Sequence, residues 1–180
     1  RSESKTGAAG LDATIFHFPF SSFPARAAVI ALEGLAEELR VKVRGKVLSH
    51  EPMACHTSFK IGGPADLVVI PEHAEDLKAA LAFARSKGLP VFALGSGSNT
   101  LVRDRGIRGM VILPSGLQDL ERQGTAVTAG AGVRVSRLLA FCSKQGLAGL
   151  EILSGVPGTV GGAVWGNAGS WGGSVADHLA

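Results

Sequence analysis

The stretch Leu89-Pro-Val-Phe-Ala-Leu-Gly-Ser-Gly-Ser-Asn-Thr-Leu-Val102 decides the fold. Its apolar run, Val91–Leu94, predicts a buried strand that leads directly into Gly95–Asn99, where two glycines and an asparagine tolerate positive φ. Such a turn can aim consecutive backbone N–H groups at one point, and two serine hydroxyls lie beside them. This favours a phosphate or pyrophosphate ligand. Taken alone, the turn is equally typical of a tight connection between strands without a ligand.

Two common nucleotide-binding signatures are excluded by this turn. A Rossmann fingerprint would place its third glycine at position 100, which is Thr100, and Leu101-Val102 then predicts a strand rather than a helix. A Walker A loop would need Gly-Lys-Ser/Thr, which does not follow. The loop therefore fits neither signature.

A second glycine-rich segment, Gly155–Gly173, holds eight glycines counting both ends. Glycine inside structured backbone costs about 0.5–1 kcal/mol relative to alanine, so this density indicates close approach of the backbone to a flat ligand or to another strand. A flavin ring or its ribityl chain would fit. The alternative is a mobile loop, but interleaved apolar residues argue for burial. They are Val156, Val160, Ala163, Val164 and Trp165.

Three blocks, in this order and spacing, resemble the UDP-N-acetylenolpyruvoylglucosamine reductase family. They are His56–Asp66, Gly95–Asn99 and Ser154–Ala163 followed by Asn167-Ala168-Gly169. The resemblance runs from about His56 to the last residue. It implies an α+β, two-lobed FAD-binding fold of the vanillyl-alcohol-oxidase (PCMH) type, which is not a Rossmann fold. It also implies an FAD-dependent oxidoreductase that passes a hydride from NADPH to a UDP-amino-sugar enolpyruvate during peptidoglycan precursor synthesis.

The same resemblance implies a set of FAD-binding residues. In the family, the counterpart of Gly95–Asn99 holds the FAD pyrophosphate through backbone N–H groups, and the counterpart of Gly155–Ala163 contacts the other side of the cofactor. The residues implied are Thr57, Ile61, Gly95, Ser96, Gly97, Ser98, Asn99, Gly155, Pro157, Gly158, Gly161, Gly162 and Ala163. The roles of Thr57 and Ile61 stay open, because Gly62-Gly63-Pro64 is also explained as the turn before a strand.

No catalytic residue is expected in this chain. The family's proton-donating serine, substrate arginine and late glutamate belong to segments C-terminal to the Asn-Ala-Gly block, so we expect them beyond Ala180. Trp171 stands where the family more often has a tyrosine, and the hydroxyl is lost. We expect non-covalent FAD, because no histidine or cysteine lies within Gly95–Asp104 as a tether.

The remaining reactive residues have ordinary explanations. Cys55 and His56 are neighbours on an extended chain and point to opposite faces, so a nucleophile–base pair is disfavoured. Neither the histidines nor the cysteines show metal-binding spacing, and no metal is expected. Glu151 is placed either to bond a ribose hydroxyl or to cap the following turn.

The composition limits the classes of protein to which this chain can belong. A chain of 180 residues with 46% hydrophobic and 18% charged residues is globular, and the scattered cations behind its net charge of +3 predict no nucleic-acid partner. No stretch approaches the ~20 apolar residues of a membrane span, and the start lacks the features of a signal peptide. Two cysteines without framework spacing favour the cytoplasm. The oligomeric state is not predicted.

We expect an N-terminal extension over residues 1–24, partly disordered, a first lobe over 25–105 and a second over 106–180, with a substrate domain absent from this chain. Apolar spacing predicts helices over Ala25–Leu39, Glu72–Lys87 and Val133–Gln145, and strands over Leu67–Ile70, Met110–Leu113 and Ala126–Ala129. Two alternatives to the reductase are a non-catalytic flavin- or nucleotide-binding module and another oxidoreductase of the same flavin fold.

Overall fold

The structure, a computed structural model, describes residues 25–170 and 172–180, with side chains from residue 31 onward. The predicted extension over 1–24 and the tryptophan at 171 lie outside the described residues. The helices of the described part are α1 Ala25–Arg40, α2 Ala74–Lys87, α3 Val135–Lys144 and α4 Val160–Trp165. Its strands are β1 Lys46–Pro52, β2 Pro64–Ile70, β3 Val91–Ala93, β4 Ile107–Ile112, β5 Leu120–Gln123, β6 Ala126–Ala129, β7 Gly169–Ser170 and β8 Gly173–Ser174.

A four-stranded sheet in the order β1-β2-β4-β3 forms the larger part of the fold. The strand β1 runs antiparallel to β2, whereas β2 and β3 both run parallel to β4. Ile112 pairs with Val69 on one side and with Ala93 on the other, so the carboxyl ends of three strands meet at one edge. The near-continuous apolar runs of β2 and β4 suit strands that are buried on both faces.

The two faces of this sheet bury separate clusters. On one face, α1 and α2 pack Leu39 and Phe83 against Leu67, Val69 and Met110. On the other face, Val68 and Val111 pack against Met53, Leu94 and Val102. The assignment follows from the period of two along a strand, since residues 67 and 68 point in opposite directions.

The segment 94–106 connects β3 to the neighbouring parallel strand β4 and therefore crosses one face of the sheet. It buries Leu94 and Val102 at its two ends, with the glycine-rich turn between them. The strand predicted at Leu101-Val102 is wrong: this part of the crossover is irregular, and Val102 is buried because it packs beneath the turn at Gly62.

The second group of elements is the antiparallel hairpin β5–β6 with α3 and α4. Sequence reasoning found β6 but missed β5, whose residues are mostly exposed and charged. One apolar cluster, built on Val133, Leu138 and Cys142, packs α3 against the hairpin. Another joins α3 to α4 through Val135, Leu153, Ala163 and Val175.

A buried carboxylate ties α2 to the rest of the first sheet. Asp76 is 4% exposed and accepts backbone N–H hydrogen bonds from four residues. The donors are Arg44 at 2.9 Å, Gly45 at 3.2 Å, Glu72 at 3.0 Å and His73 at 3.3 Å. Burial by itself would raise the pKa of Asp76, but these hydrogen bonds bring the pKa below its ordinary value.

The predicted helices match α1, α2 and α3 to within a few residues at each end, and the strand predicted over Val91–Leu94 is present as β3. The prediction that this strand is buried is wrong, because β3 lies at the edge of the sheet and only Leu94, just after it, is buried. The division proposed between residues 105 and 106 stays a proposal. Because β4 pairs with both β2 and β3, the first sheet extends to Ile112. No helix in the described ranges is both long enough and apolar enough to cross a membrane.

Candidate functional site

A cleft of about 650 Å³ lies between the crossover after β3, the segments after β1 and β4, and the start of α4. This volume falls within the range of about 300–1,000 Å³ that small-molecule sites occupy. The first cleft, as we call it, is lined by Cys55, His56, Thr57, Ser58, Lys60, Gly95, Ser96, Leu113, Ser115, Gln118, Gly132, Arg134 and Thr159.

The first predicted block holds the central loop in place. Gly97 is buried at φ 64°, and its carbonyl oxygen accepts a hydrogen bond from the backbone N–H of Ser58 at 3.1 Å. A Cβ on Gly97 would lie 2.3 Å from the carbonyl oxygen of His56 and 2.8 Å from Cα of Thr57. Glycine is therefore favoured here by the backbone angle and required by the contact between the two loops.

The central loop carries a row of unpaired donors. Within the described part of the chain, none of the five backbone N–H groups of Gly95–Asn99 donates a hydrogen bond, whereas that of Leu94 donates to Ile112 at 3.0 Å. Backbone donors in folded proteins are rarely left without a partner unless water or a ligand supplies it. Consecutive N–H groups in a turn of this kind form a concave site for an anion.

The second glycine-rich segment lies against this loop through Gly158 and Thr159, but the burial predicted for its apolar residues is wrong for Val164 and Trp165, which are exposed. A Cβ on Gly95 would lie 2.8 Å from the Oγ1 of Thr159, and a Cβ on Gly158 would lie 3.4 Å from the Oγ of Ser96 and 3.5 Å from that of Ser98. A Cβ at Gly158 would therefore make only ordinary van der Waals contact, whereas Gly95 permits a close approach between the two segments. The serine hydroxyls lie in the space between them, beside the row of unpaired N–H groups.

The N-terminus of α4, by contrast, offers few free donors. The N–H of Val160 donates to Val133 at 2.8 Å and that of Gly161 to Ala131 at 2.9 Å. The N–H of Gly162 donates to the Oγ1 of Thr159 at 3.4 Å. Hydrogen bonding by α4 is thus satisfied within the chain, and the anion donors come from the central loop instead.

A second cleft, of about 420 Å³, lies on the other side of the Gly155–Gly158 turn. It is lined by Arg134, Ser136, Leu139, Leu153, Ser154, Gly155, Val156, Pro157 and Gly158. Arg134 lines both clefts. The two clefts therefore have one lining residue in common, directly before α3.

The predicted site residues divide into four groups. Thr57, Gly95 and Ser96 line the first cleft, and Gly155, Pro157 and Gly158 line the second. Gly97, Ser98 and Asn99 complete the central loop, of which Asn99 is exposed. The others lie around these clefts without lining them: Ile61, Gly161, Gly162 and Ala163.

Structural roles explain three members of the fourth group. The carbonyl oxygen of Ile61 accepts the hydroxyl of the buried Thr57 at 2.9 Å, which fixes the turn of the first block. Ala163 is 6% exposed and belongs to an apolar cluster. A Cβ on Gly161 would lie 2.8 Å from the Cβ of Ala131, so this glycine permits close packing between two segments of the chain. Cofactor contacts at these positions stay predictions.

Sequence reasoning missed the contribution of the second group of elements to the first cleft. Gln118 holds this wall together, because its side-chain amide donates to the carbonyl oxygens of Ser115 at 2.8 Å and Gly132 at 2.7 Å. The side chain of Arg137 in turn donates to the Oε1 of Gln118 at 2.7 Å. The Gly130-Ala-Gly132 segment was the feature of the sequence from which this wall of the first cleft could have been predicted.

The charges around the clefts are cationic. Lys60 and Arg134 line the first cleft, and no aspartate or glutamate in the described residues lines either cleft. His56, also in the lining, lies 2.8 Å from Glu51 through Nε2 and Oε1. This balance favours an anionic ligand.

Glu151 lies outside both linings. Its Oε2 accepts the N–H of Gly149 at 2.7 Å, so the carboxylate bonds the backbone before it rather than capping the turn that follows. Hydrogen bonds from the backbone N–H groups of Glu151 itself and of Gly149 hold the pKa of this carboxyl below its usual range.

Over residues 64–180 the sequence matches the FAD binding domain family. The chain belongs to this family. The chain is also 49% identical, over 146 residues, to the UDP-N-acetylenolpyruvoylglucosamine reductase of Geobacter sulfurreducens, an alignment that covers 81% of the chain and 49% of that protein. The chain thus spans about half the length of the curated relatives it matches.

Two solved structures place the domain among known folds. The crystal structure of UDP-N-acetylenolpyruvylglucosamine reductase from Thermus caldophilus is 36% identical with a TM-score of 0.59, covering 74% of this chain and 46% of that one. A solvent-stable cholesterol oxidase is 20% identical with a TM-score of 0.57, covering 70% and 25% respectively, and shows the fold alone. The predicted family resemblance and the predicted FAD-binding fold of the vanillyl-alcohol-oxidase type are confirmed.

The residues of the site fit FAD. A pyrophosphate needs hydrogen-bond donors without competing carboxylates, and the central loop supplies five N–H groups beside two hydroxyls. The glycine at 95 lets Thr159 pack against the start of the loop, which brings the second glycine-rich segment to the edge of the site.

Proposed function

We propose that this chain binds FAD non-covalently, with the cofactor's pyrophosphate on the N–H groups of Gly95–Asn99. The observation that carries the proposal is that these five donors are unpaired within the described residues and face the second glycine-rich segment. Membership of the FAD binding domain family supports FAD as the cofactor. Bound FAD would supply the hydride-transfer chemistry, and the chain's part is to bind and orient it.

We further propose that the chain is the cofactor-binding part of a reductase. In this proposal the reductant is NADPH, the substrate is UDP-N-acetylglucosamine-enolpyruvate, and the product is UDP-N-acetylmuramate for peptidoglycan precursor synthesis in the cytoplasm. The similarity to curated reductases at 49% identity supports this reaction. Because the chain spans about half of their length, we place the proton donor and most of the substrate contacts in the part of those relatives that this chain does not match.

Each residue group then has a role in binding. The N–H row donates hydrogen bonds to the pyrophosphate oxygens, while the hydroxyls of Ser96 and Ser98 add donors from the same side. Thr57, hydrogen-bonded to Ile61, keeps the first block against Gly97 and so keeps the row in position. Lys60 adds positive charge at the first cleft.

The cofactor test compares two flavins. Purified chain that is denatured in acid should release a yellow supernatant that chromatographs as FAD, and added FAD should raise the thermal midpoint more than FMN, which lacks the pyrophosphate. Colourless protein that shows neither a thermal shift nor flavin fluorescence quenching with FAD would contradict the cofactor proposal.

The reaction has its own test. We expect no oxidation of NADPH that depends on the enolpyruvyl substrate when the 180-residue chain is assayed alone, because a missing general acid costs about 10²–10⁴-fold in rate. Adding the C-terminal half of a relative should restore turnover. Substrate-dependent turnover by the chain alone would contradict our placement of the proton donor and would direct attention to Ser58 and His56.

A further inference from the structure

Arg134 has a place in the site that the family resemblance does not assign. It is the residue before α3, and it lines both clefts. Its side chain makes no hydrogen bond or ion pair with any residue that the structure describes. The other arginine at this end of α3, Arg137, is instead held by Gln118.

The backbone around Arg134 determines where its side chain starts. Arg134 forms an antiparallel bridge with Thr159, closed by hydrogen bonds from Val135 to Gly158 at 3.1 Å and from Val160 to Val133 at 2.8 Å. Because these bonds flank the pair rather than join it, Arg134 and Thr159 form a non-hydrogen-bonded pair, in which Cα atoms are about 4.5 Å apart and both side chains leave on the same face.

Thr159 shows which face this is. Its Oγ1 would lie 2.8 Å from a Cβ on Gly95, so the threonine side chain is directed at the start of the N–H row. The side chain of Arg134 therefore leaves the backbone on the same face as that of Thr159, near the start of the N–H row. A permanent cation, with five donors in a fixed fork, thus lines the same cleft as the start of a row of five backbone donors that have no partner among the described residues.

We propose that Arg134 binds the pyrophosphate of the dinucleotide across the cleft from Gly95–Asn99, and that it is a determinant of FAD over FMN. This inference rests on the proposed function, since it names the residue that completes the same anion site. Two phosphoryl groups offer oxygens to two walls at once, whereas the single phosphate of FMN can satisfy only one. The row and the guanidinium together therefore select for the longer anion.

The experiment measures dissociation constants of wild-type chain and Arg134→Gln for FAD, FMN and riboflavin by flavin fluorescence quenching at fixed salt. Loss of one charge-assisted hydrogen-bonding group should weaken FAD binding by about 10–100-fold. FMN should lose less, and riboflavin, which has no phosphate, should bind the two proteins equally. Arg134→Lys should recover part of the FAD affinity relative to Arg134→Gln, because lysine keeps the positive charge but lacks the planar set of guanidinium donors.

Lys144→Gln is the matched control. It removes the same charge from the opposite end of α3, about 15 Å away along a ten-residue helix, and should leave all three constants unchanged. An equal loss for FAD, FMN and riboflavin in Arg134→Gln, or no loss for FAD, would overturn the inference. A fourth dissociation constant, for UDP, is measured with wild-type chain and Arg134→Gln. If Arg134→Gln keeps its FAD affinity but binds UDP more weakly, Arg134 contacts the phosphates of a substrate instead, and the inference is overturned.

Failure of this inference is distinguishable from failure of the proposed function. If wild-type chain does not bind FAD at all, the proposed function is contradicted and with it this inference. If wild-type chain binds FAD and Arg134→Gln binds it equally well, only the role of Arg134 is overturned.

Discussion

Replacing Gly97 with alanine tests the contact between the central loop and the first block. The backbone of Gly97 has φ 64°, and the added Cβ would lie 2.3 Å from the carbonyl oxygen of His56. That distance is far below van der Waals contact, and the opposing atom belongs to backbone rather than to a flexible side chain. The loop must therefore move, and it cannot do so without disturbing the hydrogen bond from Ser58 to Gly97.

Two contributions make up the expected loss of stability. A non-glycine residue in the left-handed region costs about 1–2 kcal/mol. Forcing one extra carbon into a closely packed contact adds about 1–3 kcal/mol. The sum of about 2–5 kcal/mol corresponds to a fall in Tm of roughly 10 °C for a domain of this size, given about 2–4 °C for each kcal/mol.

Gly124→Ala is the matched control for the backbone angle. Gly124 has φ 63°, and a Cβ there would meet nothing within 4 Å. It should therefore lose only the conformational part, about 1–2 kcal/mol. Urea denaturation without added flavin measures both variants against the wild-type chain. Equal losses at the two glycines would refute the inferred contact between the central loop and His56.

Three further outcomes follow from buried groups. Asp76→Asn should lose about 1–3 kcal/mol of stability at neutral pH. Because the pKa of Asp76 is lowered in the folded state, this contribution is present above the unfolded pKa and disappears as the pH falls through the folded pKa. Urea titrations of the variant and the wild type should therefore converge in acid. Thr159→Val removes the side-chain acceptor for Gly162 at the start of α4 and should lower Tm by the equivalent of about 0.5–2 kcal/mol in a melting experiment. A maleimide should modify the exposed Cys55 in native protein but Cys142 only after unfolding, since Cys142 is buried and burial raises the pKa of its thiol. Saturating FAD should slow the modification of Cys55, because Cys55 lines the first cleft.

The parts of the fold that local chemistry determines could be predicted. Gly88 ends α2 in the left-handed conformation with φ 62°, as expected for a glycine after a run of apolar helical spacing. The turn in the central loop was predicted for a similar reason, because glycine adopts a positive φ such as that of Gly97 at lower cost than other residues. Such signals depend on a few neighbouring residues and are visible in the sequence.

The misses depend on contacts between distant parts of the chain. The pair Leu101-Val102 has the composition of a strand, but the next residue, Arg103, gives its carbonyl oxygen to the N–H of Gly63 instead of to a strand partner. Arg134 reaches the first cleft only because its backbone pairs with Thr159, a partner twenty-five positions away. No local pattern of charge or hydropathy encodes such a pairing.

The central claim is that the unpaired N–H groups of Gly95–Asn99 bind the pyrophosphate of FAD. Amide chemical shifts in ¹H–¹⁵N spectra of the labelled 180-residue chain test it most directly, because each of the five donors is observed separately. We expect all five resonances to move together as FAD is added, with downfield proton shifts typical of new hydrogen bonds, while riboflavin at the same occupancy leaves them in place. FAD that binds and shifts other residues, but not these five, would contradict the account.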